Sequence, residues 1–210
     1  MFISWTAVYI EAIRIGIRDQ TYAIPVVALA LNFSWEIIHG IRGIMYYPER
    51  ASTLWVVSWA STDLGILYTY FRYGRTEFPS YITPPIFVAG SLLVFVAAFF
   101  VQAAFELEIS GPIGAYNYAA FLQNALMSGL FIAMFLARGG SRGQSLRLAI
   151  FKGIGSMAPV LVVGRDSVYV RLVGSVIVML DIIYIGLLIY ARRVGGTLGM
   201  VRTCEVLKTG

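Results

Sequence analysis

Charge is what this chain has least of. Asp, Glu, Lys and Arg make up only 13% of its 210 residues, against 59% hydrophobic, and the mean hydropathy is +0.77. So little polar surface cannot cover a soluble globule, which points to an integral membrane protein. The net charge of +5 is spread singly and in small groups between apolar stretches, as loop and snorkelling residues are, which excludes a nucleic-acid-binding surface. A single cysteine, Cys204, excludes a disulfide within the chain and a multi-cysteine metal site. No two Asp residues lie within four positions of each other, so the clustered acids that hold a diphosphate through Mg²⁺ are missing. A zinc-type His/Cys set and a phosphate-cradling glycine loop are missing as well. The composition therefore predicts no metal and no cofactor.

What the chain has in abundance is long apolar runs. Spans near the 20 residues that cross a bilayer can be marked at roughly 2–17, 22–45, 52–71, 84–106, 112–137, 146–164 and 168–191. This predicts an all-α, seven-transmembrane-helix bundle forming one domain over 1–210. The first segment carries Glu11 and Arg14 and no basic start, so it reads as a short helix and not as a cleavable leader. The breaks fall at Arg18-Asp19-Gln20, Pro48-Glu49-Arg50, Gly74-Arg75 with Pro79, Gly111-Pro112, the run from Arg138 to Gly143, and Gly164-Arg165-Asp166. Alternating spans place Arg14, Arg18, Arg72, Arg75, Arg138, Arg142, Arg147, Arg192, Arg193, Arg202 and Lys208 on one side. Arg42, Arg50, Arg165 and Arg171 fall on the other, and Lys152 inside the sixth span. The positive-inside bias then puts the N-terminus outside or in a lumen and the C-terminus in the cytoplasm.

Against this background Glu36, Asp63 and Asp181 stand out, each inside a different apolar span. An ionisable group there is costly and marks a pathway, relay or reacting site by default, and an acid in an apolar place tends to keep its proton. At about 1.5 Å of rise per residue, Glu36, Asp63 and Asp181 lie about 13, 16 and 20 Å inward from the outer ends of their helices. One midplane cavity is expected to contain all three.

Asn32, Glu36 and His39 form a polar stripe beside Trp35; Trp59, Asp63 and Tyr70 form another; Asp181 shares a face with Tyr184; and Asn117, Phe121, Asn124 and Ser128 line up on the fifth span. Acids at such a place can donate protons, and aromatic faces stabilise a cation without attacking it. Asn32, Asn117, Gln123 and Asn124 read first as hydrogen-bonding glue between helices, His39 as a supporting hydrogen bonder, and Glu11 as a partner of Arg14 one turn on. Glu36 and Asp181 lack a basic residue within a helical turn, which sets them apart as reacting groups.

Several of these segments resemble a known family. The run Arg18-Asp19-Gln20-Thr21-Tyr22-Ala23-Ile24-Pro25, followed by Asn32-Phe33-Ser34-Trp35-Glu36, is similar to the signature of the small integral-membrane terpene cyclases of fungal meroterpenoid and indole-diterpene pathways and their bacterial relatives. Trp59 to Asp63, Gly114-Ala115-Tyr116, Gln123-Asn124, Gly143-Gln144-Ser145 and Asp181-Ile182-Ile183-Tyr184 follow the same order. The resemblance implies a seven-helix enzyme that protonates the terminal epoxide or alkene of a prenylated, indole- or other aromatic-headed substrate and closes rings through a carbocation cascade. It implies Glu36 and Asp181 as the catalytic acids. Asp63, Asn32, His39 and Asn124 are then candidate relay or supporting groups, and Trp35, Trp59, Phe121 and Tyr184 candidate cation-stabilising walls. Implied partners are the prenylated substrate, the bilayer, and an upstream prenyltransferase or epoxidase. The membrane would be the plasma membrane in a bacterium or an endoplasmic-reticulum-type membrane in a fungus.

Two other classes place acids at midplane. A proton-coupled transporter predicts internal repeats and paired interrupted helices, and neither is evident. A retinal-type receptor calls for a lysine in the last span, where Asp181 stands instead.

Overall fold

The computed structural model describes residues 2–110 and 114–208, with side chains described as far as Val194. The expected turn at Gly111-Pro112 and the side chains of Cys204, Arg202 and Lys208 lie outside these. Among the described residues the regular structure is helical: α1 (Phe2–Asp19), α2 (Val26–Tyr46), α3 (Ala51–Tyr73), a short 3-10 turn (Gly74–Glu77), α4 (Pro84–Glu108), α5 (Gly114–Ala137), α6 (Leu146–Val163) and α7 (Val168–Lys208).

The bounds follow local chemistry. Pro25 caps α2 and, having no N–H to bond backwards, moves the start past the expected residue 22. Thr83 precedes the Pro84-Pro85 pair that opens α4, the place where a missing N–H costs nothing. Ser145 caps α6, its Oγ accepting the Leu148 N–H at 3.1 Å. The last helix runs well past the expected residue 191, because no proline follows Pro159 to stop it.

Four helices, α4, α5, α6 and the Val168–Val194 part of α7, are long and apolar enough to cross a membrane by length and composition. α1, α2 and α3 fall short because polar residues interrupt them, and several of these point inward: Glu11, Glu36 and Asp63 are all buried. Outward-facing positions are apolar instead. On α4, Leu93 and Phe100 are 69% and 67% exposed, which suits lipid and would promote aggregation in water.

The helices close into a ring. α1 packs on α3, α3 on α2, α2 on α5, α5 on α7, α7 on α6 and α6 back on α1, while α4 lies outside against α2 and α5. Small residues set the α1–α3 spacing: a Cβ on Gly16 would stand 2.8 Å from Thr69 Cβ, and one on Gly65 2.7 Å from Ile13 Cδ1. This close approach, usual between membrane helices, brings Tyr9 to the face of α3.

One end of the ring is knitted by polar contacts beyond the apolar stretches. Arg138 donates to the Tyr22 carbonyl at 3.0 Å and to Thr21 Oγ1 at 3.2 Å, and Thr21 donates to Glu77 at 2.7 Å. Asp19 receives Arg18 Nε at 2.5 Å and the Gly143 N–H at 3.1 Å; the Arg18 bond above all holds its carboxyl below the ordinary value. Glu11 takes Arg14 in a two-pronged bond at 2.7 and 2.8 Å, as its spacing predicts, and also accepts Ser145 Oγ at 2.9 Å.

Candidate functional site

Inside the ring lies a cavity of about 170 Å³. α1 contributes Trp5 and Tyr9 to its wall, α2 Asn32, Trp35 and Glu36, and α3 Trp59. The stretch from Tyr116 to Met127 of α5 forms the largest part, and Pro159 and Val163 of α6 close it. Most of this wall is apolar or aromatic, and Glu36 is the one acid in it.

Glu36 is 1% exposed and tightly held. Its Oε1 accepts a short bond from the Tyr9 hydroxyl and another from Asn32 Nδ2 at 2.8 Å. Asn32 Nδ2 also reaches the Tyr9 oxygen at 2.7 Å and Asp63 Oδ2 at 3.1 Å. One amide thus ties together two carboxyl groups from α2 and α3 and a phenol from α1. Glu36 Oε2 and Asp63 Oδ1 take no hydrogen bond from the described protein atoms. The i, i+4 spacing of Asn32 and Glu36 made half of this cluster foreseeable. Tyr9, 27 residues from Glu36, carried no local signal.

Asp181 lies elsewhere. It does not line the cavity, and it is not without a cation: Lys152 Nζ, fully buried, stands 2.7 Å from Asp181 Oδ1 and donates to Ser128 Oγ at 2.6 Å. The expectation that three acids face one chamber therefore needs correction. Glu36 lines it, Asp63 sits one hydrogen bond behind, and Asp181 is an ion-pair partner outside the wall. The reason is that Lys152, 29 residues away on α6, supplies the charge that Asp181 lacks on its own helix. The pair still touches the cavity wall indirectly, because Ser128 Oγ bonds the Asn124 carbonyl at 3.0 Å and Asn124 Nδ2 bonds Ser156 Oγ at 2.9 Å.

The remaining candidates divide in the same way. Trp35, Trp59, Phe121 and Asn124 line the cavity; the Trp35 N–H donates to the Tyr116 carbonyl at 3.1 Å and the Trp59 N–H to Thr6 Oγ1 at 3.3 Å, so both rings have fixed orientations. Tyr184 is not in the wall; it packs on Phe131 with ring centroids 5.2 Å apart. His39 stands past Trp35, its ring centroid 4.9 Å from the indole, against a neighbouring cavity.

A helical protein with lipid-suited outer faces and an enclosed aromatic chamber entered by one acid is a membrane protein equipped to act on an apolar molecule. The chain belongs to the Pyr4-like transmembrane terpene cyclases, whose family model matches residues 1–194. Among curated proteins it is 29% identical over 170 residues to the terpene cyclase atmB of Aspergillus flavus, covering 77% of this chain and 65% of that one. It is 30% identical over 157 residues to the Pyr4-family terpene cyclase mfmH of Annulohypoxylon moriforme, covering 73% of this chain and 62% of that one. The terpene cyclase cle7 of Aspergillus versicolor is 25% identical over 208 residues, 90% of this chain and 84% of the other. The chain thus spans less than two thirds of the length of the first two relatives. No solved structure matches it.

Proposed function

We propose that this protein is a membrane-bound terpene cyclase that protonates the terminal epoxide or alkene of a prenylated, aromatic-headed substrate and isomerises it to a ring-closed product without a metal. The observation that carries the reading is the bonding of Glu36. With Oε1 occupied by two donors and Oε2 facing none, the acid proton belongs on Oε2, beside a chamber of aromatic rings. Two buried carboxyl groups bridged by one amide are costly as a pair of anions, so the Glu36–Asp63 pair keeps at least one proton.

In this reading Glu36 Oε2 gives its proton to the epoxide oxygen or the alkene carbon as general acid. The C–O bond or π bond opens, the next alkene closes a C–C bond onto the cation, and the charge moves along the chain past Trp35, Trp59 and Phe121, whose faces attract it. Loss of a proton from the last cation, or capture by a hydroxyl of the substrate, ends the sequence with no net change in atoms. Asp63, through Asn32 and Tyr9, returns a proton to Glu36. Asp181 acts from behind the wall: with Lys152 it fixes Ser128 and, through it, the α5 segment that carries Asn124 and Phe121.

The same proposal takes all seven helices as membrane spans of one domain, N-terminus outside, on the distribution of Lys and Arg. The inward-facing polar groups of α1, α2 and α3 account for their low hydropathy. Purified protein in detergent is expected to convert a prenylated phenol or indole into an isomer of equal mass with additional rings. Accumulation of unchanged substrate in sealed vesicles, with no conversion in detergent, would support a proton-coupled carrier instead.

A further inference from the structure

The chamber around Glu36, at about 170 Å³, accommodates the reacting end of an isoprenoid tail. A tail together with an aromatic head calls for the several hundred cubic ångströms usual in ligand sites. The additional space lies next door. A cavity of about 300 Å³ shares Tyr116 with the chamber, and only a thin aromatic partition separates them. The rings of Trp35 and Tyr116 are 4.5 Å apart and His39 is 4.9 Å from each. Along α2, Arg42 in this second cavity stands six residues beyond Glu36, about 9 Å of helix, a distance suited to a tail folded for ring closure.

The two spaces differ in chemistry. The second is polar and aromatic: Arg42 contacts Glu106 Oε1, His39 Nδ1 lies 3.7 Å from Glu106 Oε2, and Oε2 accepts no hydrogen bond from the described atoms. Arg50 sits 3.9 Å above the Tyr47 ring. Two arginines against one glutamate leave a positive balance beside flat ring faces. Guanidinium groups in this setting recognise oxygen acceptors and stack on aromatic planes, and nothing here favours a cationic head.

Building on the cyclase reading above, we propose that this second cavity is the head-group subsite, and that it selects a flat aromatic head carrying at least one carbonyl or phenolic oxygen. Arg42 and Arg50 donate to the head's oxygens, Glu106 accepts an O–H or N–H from it, and the rim of Tyr116 and Trp35 passes the tail to Glu36.

The test uses the full chain in detergent and two probes with the same terminal-epoxide farnesyl tail, one on a hydroxyacetophenone and one on an unsubstituted benzene ring. Binding is read by quenching of tryptophan fluorescence, and turnover separately by mass spectrometry. The oxygenated probe is expected to bind about tenfold more tightly, the scale of one hydrogen bond to a charged group. Arg42→Gln and Arg50→Gln should each weaken it, raising KM more than they lower kcat, and leave the benzene probe alone. The double variant Arg42→Gln/Glu106→Gln, which leaves no unpaired charge, should erase the discrimination while keeping the fold. Equal affinity of the two probes for the unaltered protein, or equal losses for both in the arginine variants, would overturn the subsite. Head-selective binding with no turnover of either probe would instead overturn the cyclase reading and leave the subsite standing.

Discussion

Glu36→Gln is expected to lower turnover by about 10²- to 10⁴-fold, the range a positioned general acid contributes, with the fold and substrate affinity retained. The amide is isosteric and its oxygen still accepts from Tyr9 and Asn32, so the cluster that joins α1, α2 and α3 persists. What it loses is a transferable proton at the unbonded position. A drop in kcat with KM nearly constant, measured on protein of unchanged melting behaviour, is the signature of an interaction made only in the transition state. Turnover within a few-fold of the parent would remove Glu36 from the chemistry.

The largest expected effect on stability lies on the other side of the cavity wall. Lys152→Met leaves Asp181 buried and uncompensated, and breaking a buried pair from one side costs about 3–5 kcal/mol. Its Nζ is held between Asp181 and Ser128 with Lys152 0% exposed, so water offers no substitute. Denaturant unfolding of the single variant should show that loss, and adding Asp181→Asn should recover most of it. Turnover should return with stability in the double variant, because Asp181 acts by fixing the wall. A double variant that is stable yet inactive would place Asp181 in the reaction itself, and a Lys152→Met protein as stable as the parent would deny the ion pair.

The difference between these two acids marks the boundary of what sequence pattern conveys. The seven apolar runs and their breaks correspond to α1 through α7, because helix period, proline position and chain charge are local properties. The Asn32 and Glu36 stripe was legible for the same reason: one turn of helix joins its members. Tyr9 and Lys152 were not, since each meets its acid only after distant helices pack, and a tyrosine in a chain with 14% aromatic residues has no distinguishing neighbour. Asp181 looked like Glu36 in sequence because absence of a basic residue within a turn says nothing about the opposite helix. Tyr184 was read into the cavity from its shared face with Asp181, and that face packs against Phe131 of α5. Hydropathy alone misjudged α1, α2 and α3 in the opposite sense, counting inward-facing acids as though they met lipid.

The account depends on one proton carried by Glu36 in a greasy chamber at neutral pH. Infrared spectra of the unaltered protein minus Glu36→Gln test it directly. A positive band for the carbonyl stretch of a protonated carboxylic acid, lost in the variant, is the predicted result. A difference spectrum with only the paired stretches of an ionised carboxylate would contradict it.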